Sequence, residues 1–213
     1  MVKNFILDRW RKLFMQKFLL YTVLALCLIF SAGCKNKDKI ISVDDVKNNT
    51  LLVKNDGTVQ AATVETFDKN YYNQDELNTF IMGQIGKYNQ ANGQDSIVLD
   101  SLNVKDGNAV LILNYSNLEH YKAFNEVDAA LTTTIDAKNG NLELPDVYVS
   151  ASDGAFASPD VALKNDKYKV LVVNEKTDII VDGTVKYFTN AALLSKSKLQ
   201  TNSEEKSVIV YKP

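Results

Sequence analysis

The chain has 213 residues with 24 Lys/Arg, 26 Asp/Glu, a single histidine and two cysteines, for a formal charge of −2. That balance shows no overall basic footprint of the kind a nucleic-acid binder carries. One histidine cannot assemble a histidine-based metal cluster or a catalytic triad within one chain.

The first seventeen residues carry Lys3, Arg9, Arg11, Lys12 and Lys17 against Asp8, the bias that keeps a segment cytoplasmic. Phe18 to Phe30 is then uninterruptedly apolar, with Thr22 its least apolar side chain. As a helix it reaches roughly 20 Å, short of the ~30 Å hydrocarbon core, but it suits a signal-peptide core. Ser31, Ala32 and Gly33 then place small residues immediately before Cys34. The string Leu28-Ile29-Phe30-Ser31-Ala32-Gly33-Cys34 resembles the lipobox of bacterial lipoproteins, although Ser31 stands where Leu is usual. On that resemblance residues 1–33 are a lipoprotein signal peptide, Cys34 is the lipidation site, and residues 34–42 are a tether. The alternative is an uncleaved N-terminal anchor. Both place the folded part at the extracytoplasmic face of the cell membrane.

Without residues 1–33 the chain keeps 19 Lys/Arg against 25 Asp/Glu, a formal charge of −6. An anionic surface would repel it unless it carries a local basic face. Cys34 is its only cysteine, so no disulfide can form within one mature chain and a packed core must stabilise it. Heavy use of Lys, Asn, Ile and Tyr with little Pro or Trp suggests an AT-rich genome and fits a Gram-positive source.

Six of the nine glycines follow Asp or Asn, the pairs that suit two-residue hairpin turns. The flanking apolar runs predict hairpins across Asp56-Gly57, Asp106-Gly107 and Asp182-Gly183. Asp153-Gly154 lies in the small-residue stretch 150–158 and reads as a loop. Asn73, with Glu76 three residues on, predicts the start of a helix, whose apolar arc is Leu77, Phe80, Ile81, Ile85, Tyr88 and Ala91. Ser116 and Glu119 predict a second, with Leu118, Tyr121, Phe124 and Val127 on its apolar side. Further strands are expected at 131–136, 142–149, 169–174 and 207–211. The sum is an α+β fold. An antiparallel sheet of hairpins carries two amphipathic helices, and the C-terminal part is strand-rich. Residues 43–213 read as a single domain with a candidate sub-boundary at 150–159.

The segments Glu65-Thr66-Phe67-Asp68-Lys69-Asn70-Tyr71-Tyr72, Tyr88-Asn89-Gln90-Ala91-Asn92-Gly93 and Tyr121-Lys122-Ala123-Phe124-Asn125 resemble stretches of uncharacterised clostridial surface lipoproteins. The resemblance implies a Gram-positive cell-surface lipoprotein and carries no activity with it.

Asp68, Tyr71, Tyr72 and Asp75 gather at the entry to the first helix, where carboxylates and phenols can hold a sugar or a cation. Helix capping and favourable charge at the helix N-terminus explain the same residues. His120 reads as a half-exposed boundary residue. Gly83 and Gly86 face away from the apolar arc, where each costs about 1 kcal/mol relative to Ala. Either a second element approaches closely there or the face is solvent. No phosphate loop, EF-hand or other cofactor motif is present. These readings favour a lipid-anchored, non-catalytic binding or interaction module, with an envelope protein or glycan as partner. The alternatives are a glycan-acting enzyme using paired carboxylates and a structural envelope protein.

Overall fold

The computed structural model describes residues 39–140, 142–202 and 204–213. Residues 1–33, read as a signal peptide, together with Cys34 and Lys35–Asp38 lie outside the described residues. Thirteen strands and four α-helices follow, an α+β fold dominated by strands. The strands form two sheets that are antiparallel apart from one parallel pair among the described residues.

β1 (Thr50–Val53) and β2 (Val59–Thr66) form the first hairpin. Its turn is longer than a two-residue loop: the backbones of Lys54 and Thr58 still pair, and only Gly57 has positive φ. The side chain of Asp56 closes the turn by accepting from the Thr58 N–H at 2.9 Å. β3 (Ile97–Lys105) and β4 (Asn108–Tyr115) are joined as expected by Asp106-Gly107 alone, both with positive φ.

The third expected hairpin does not form. β9 (Asp178–Val181) lies between β1, to which it is parallel, and β12 (Lys198–Thr201). Both its edges are occupied, so β10 (Thr184–Phe188) leaves for the other sheet and pairs with β13 (Ser207–Lys212) and β6 (Tyr148–Ser150). Gly183 serves a close approach at this crossing rather than positive φ, since a Cβ there would lie 2.2 Å from the Lys212 carbonyl oxygen. The larger sheet runs β11-β12-β9-β1-β2-β4-β3 and the smaller β5-β8-β13-β10-β6-β7.

Helix α1 (Gln74–Asn92) starts where predicted, the Asn73 side chain accepting from the N–H groups of Asp75 and Glu76 at 2.8 and 3.2 Å. Helix α2 (Leu118–Asn125) is capped one residue later than expected, by Asn117, which accepts from the His120 N–H at 3.0 Å. The strand expected over 131–136 ends early: β5 (Ala129–Thr133) gives way to α3 (Thr134–Asn139). Thr133 caps that helix by accepting from the Asp136 N–H at 3.1 Å, a Ser/Thr-x-x-acid start signal that outweighs the local β propensity. Of the strand expected over 142–149, only Tyr148 and Val149 belong to β6. Leu142 and Leu144 pack on the smaller sheet from an irregular segment instead. β7 (Phe156–Ala157), α4 (Pro159–Ala162) and the β11 (Ala191–Ser195)–β12 hairpin are additional. β8 (Lys169–Val173) and β13 match expectation.

Both sheets feed the largest core, which joins Leu51, Val53, Ile179 and Val181 to Leu171, Val173, Ile209 and Tyr211, with Ile81 and Ile85 of α1. The outer face of the smaller sheet is covered by α3, α4 and their loops around Tyr148, Leu163 and Val170. Ile41 covers the outer face of the larger sheet against Leu52, Ala62 and Ile112. Its N–H donates to the buried Gln60 Oε1 at 2.6 Å. The last residues read as tether, Lys39–Ser42, therefore reach this sheet. Each fully buried aliphatic side chain contributes about 1.5–3 kcal/mol relative to exposure. These strand pairings and cores lie within Lys39–Pro213.

Candidate functional site

The cluster at the start of α1 is a surface loop. Tyr71 is 73% and Tyr72 42% exposed. The two rings meet edge to face at 5.0 Å, and Phe67 packs on Tyr72 at 4.7 Å. Asp68 pairs with the neighbouring Lys69 at 3.2 Å, both half exposed. Asp75 belongs to the first turn of α1, where its backbone N–H is capped by Asn73. The structure leaves Asp68, Tyr71, Tyr72 and Asp75 exposed, and among the four only the two tyrosine rings meet. Among the described residues no group of three or more His, Cys, Asp or Glu is placed to hold a metal ion.

His120 is half buried, and its Nδ1 lies 3.1 Å from the Tyr88 hydroxyl, linking α2 to α1. Tyr88 stacks edge-on against Phe124, and Tyr115 against Tyr121. The Tyr121 hydroxyl donates to Glu175 on the β8–β9 connection, and Asn125 Nδ2 donates to the Tyr115 hydroxyl at 3.0 Å. Burial pushes the Tyr115 phenol up to about 12 and raises Tyr121 further, helped by the Glu175 charge. Burial likewise raises the Glu175 carboxyl, with the Tyr121 hydrogen bond opposing. This network of hydrogen bonds fastens α2 to β4 and to the β8–β9 connection. Beside it, Phe80, Gln84, Tyr88, Ala91, Leu113 and Phe124 are among the residues lining an open, largely apolar groove of about 580 Å³. Only Ile81 and Ile85 of the predicted α1 arc are fully buried, and Phe80 is 63% exposed, because the arc straddles this groove. Gly83 and Gly86 face open space, so among the described residues nothing packs on the back of α1.

A larger concavity lies elsewhere, on the smaller sheet, at the end where the β1–β2 and β9–β10 turns meet the α4–β8 loop. It measures about 710 Å³, within the range of ligand sites. Lys164 and Lys167 reach it from the α4–β8 loop, Lys186 from β10 and Lys196 from the β11–β12 turn, with Tyr168 and Tyr187 beside them. None of these four lysines makes an ion pair among the described residues. The one carboxylate in the lining, Asp166, is shared with Lys138 at 3.4 Å. Asp153, on the adjoining loop, is exposed and has its carboxyl lowered by the Ser150 side chain and the Ala155 N–H.

A bulge builds one wall. The β10–β13 register shifts between Val185 and Tyr187, leaving Lys186 outside the ladder; bulges of this kind re-aim side chains. The freed Lys186 carbonyl accepts from the Ala151 N–H at 2.9 Å and so holds the 150–152 loop as the opposite wall. The Val185 N–H donates to the Lys196 carbonyl at 2.8 Å, fixing the third side. Lys39, the first described residue, donates to the Val181 carbonyl at 2.8 Å at this same end. Partial burial lowers its ammonium pKa, Asp182 opposes that shift and Lys196 adds to it.

The sequence reading did not single out these lysines. Lys164, Lys167 and Lys169 fall within six residues, which was a signal of local charge, but Lys186 and Lys196 join them only through the strand crossing at Gly183. The arrangement can hold phosphate, sulfate or carboxylate groups by charge-assisted hydrogen bonds, with the two phenols offering hydrogen bonds and ring faces. No family model, curated protein or solved structure matches the chain.

Proposed function

We propose that the protein is a lipid-anchored, extracytoplasmic binding module that engages an anionic envelope component through the Lys164–Lys167–Lys186–Lys196 groove. The lipobox-like string ending at Cys34 supports the address. No described helix is long and apolar enough to cross a membrane. One observation carries the binding role. A chain of mature charge −6 gathers four lysines without carboxylate partners, two tyrosines and a single, already shared aspartate around one groove. Leaving four ammonium groups together without counter-charges costs mutual repulsion, a cost that an anionic ligand would offset. A glycan-cleaving reading wants two carboxylates flanking one bond, whereas this lining supplies one.

Two measurements test the proposal. Metabolic labelling with a clickable fatty acid should mark the wild-type protein and not Cys34→Ser; equal labelling would refute the anchor. Residues 34–213 carrying Cys34→Ser should be retained on a heparin column at low salt, heparin serving as a generic polyanion. The further change Lys164→Glu/Lys186→Glu should elute earlier. Passage of the parent chain through the column at low salt would refute the groove.

A further inference from the structure

We infer that the basic end of the molecule docks on the anionic headgroups of the same membrane leaflet that holds the Cys34 lipid. This inference rests on the binding role proposed for the groove, and it names the ligand. Three observations combine.

The first is where the chain enters. Lys39 is fastened to the Val181 carbonyl beside the groove end occupied by Lys196. From Cys34 to Lys39 the chain has five residue steps, which span at most about 17 Å fully extended. A lipid on Cys34 therefore holds this end of the sheets close to the headgroup plane, within about two Debye lengths at physiological ionic strength.

The second is charge. Besides the four groove lysines, Lys54 occupies the β1–β2 turn, Lys169 opens β8 and Lys212 closes β13 at this end. Lys169 Nζ donates to the Asn55 carbonyl at 3.2 Å, so the two sheets present their lysines together. The opposing carboxylates of these turns and loops are Asp56, Asp136, Asp153, Asp160, Asp166 and Asp182. Asp136 is engaged by Thr133, and Asp166 by Lys138. Lysines outnumber carboxylates here, while the mature chain as a whole is acidic.

The third is shape. The groove is open rather than enclosed, and its Tyr168 and Tyr187 are half buried. Amphipathic rings of this kind favour the headgroup level of a membrane. An acidic body on a basic foot is repelled from the leaflet everywhere except at the foot, so the lipid and the lysines fix one orientation. Phosphate groups of a soluble wall polymer share the same chemistry, and the experiment separates the two sources.

Residues 34–213 with Cys34→Ser, which lacks both apolar segment and lipid, are sedimented with vesicles of phosphatidylcholine alone or with 30% phosphatidylglycerol. Binding should require phosphatidylglycerol and fall as salt is raised. Lys164→Glu/Lys186→Glu/Lys196→Glu should weaken it by at least about tenfold. A control reversal on α1, Lys87→Glu, at the separate α1–α2 groove, should change it by less than twofold. No phosphatidylglycerol-dependent binding, or equal loss in the α1 control, would overturn the membrane assignment. Retention on heparin without vesicle binding would overturn it while leaving the groove as a polymer site. Loss of both would overturn the groove itself. Since this assay carries no lipid on the protein, its outcome is independent of the Cys34 labelling result.

Discussion

Gly183 and Gly83 make opposite demands on the same substitution. At Gly183 a Cβ would sit 2.2 Å from the Lys212 carbonyl oxygen, more than 1 Å inside the 3.4 Å at which ordinary contact begins. The obstacle is the last residue of β13, a strand held to β8 over Ser207–Tyr211 and to β10 at Lys212 itself, so relief requires displacing the end of a central strand. Overpacking of this kind costs about 1–3 kcal/mol, against which a less flexible unfolded chain returns about 0.4–1 kcal/mol. Gly183→Ala should therefore destabilise by roughly 1 kcal/mol net. At Gly83 nothing lies within 4 Å of the added methyl group, and the exposed helix interior should gain about 1 kcal/mol. For a chain of this size the two variants should differ in Tm by roughly 4–8 °C. Thermal and urea melts of residues 34–213 read this directly. A Gly183→Ala chain as stable as wild type would refute the strand crossing, and a destabilised Gly83→Ala would refute the open back of α1.

Glu175 supplies a pH prediction. Its folded pKa is raised by burial, so its contribution to stability is full below the unfolded carboxylate pKa and is lost as pH rises through the folded value. Relative to Glu175→Gln, the wild type should therefore gain stability as the pH is lowered from 7 through the carboxylate range, measured by urea melts at each pH; a constant difference would contradict the burial argument. Tyr148 is fully buried with its hydroxyl unpartnered among the described residues, and burial pushes its pKa up to about 12. Tyr148→Phe removes an unmet polar group and should stabilise by about 1 kcal/mol in urea melts, whereas a loss of that size would reveal a partner for the hydroxyl. Asp178 is buried and meets Lys198 Nζ at 2.8 Å and Gln200 Nε2 at 3.1 Å. Asp178→Ala should cost about 1–2 kcal/mol by leaving Gln200 and the partly exposed Lys198 without their acceptor, and a neutral result would show the pair to be dispensable.

The parts of the fold legible in the sequence are those specified locally. Asn73 caps α1 with its own side chain, and Asp106-Gly107 turns its strands with two positive-φ residues. Asp182-Gly183 carries the same dipeptide, yet it joins two sheets. What decides between hairpin and crossing is whether β9 has a free edge, and that depends on β1, about 130 residues earlier in the sequence. Thr133-x-x-Asp136 announced a helix, but the apolar run before it reads as a longer strand. The groove was least legible for the same reason. Its lysines are ordinary surface residues one by one, and they become a site only when the bulge at Lys186 and the hold of Val185 on Lys196 bring three segments together. The tyrosine and aspartate cluster had the reverse fate. Its residues are neighbours in sequence, but they stand exposed at a helix entry.

The account stands or falls on where an anion binds. Amide spectra of isotopically labelled residues 34–213, with Cys34→Ser, can be followed by NMR while a short polyphosphate is added. The groove reading predicts saturable shifts confined to residues 150–152, 164–168, 184–187 and Lys196, abolished by Lys164→Glu/Lys186→Glu. Shifts centred on the α1–α2 groove or on the 67–75 loop, or none at all, would contradict it.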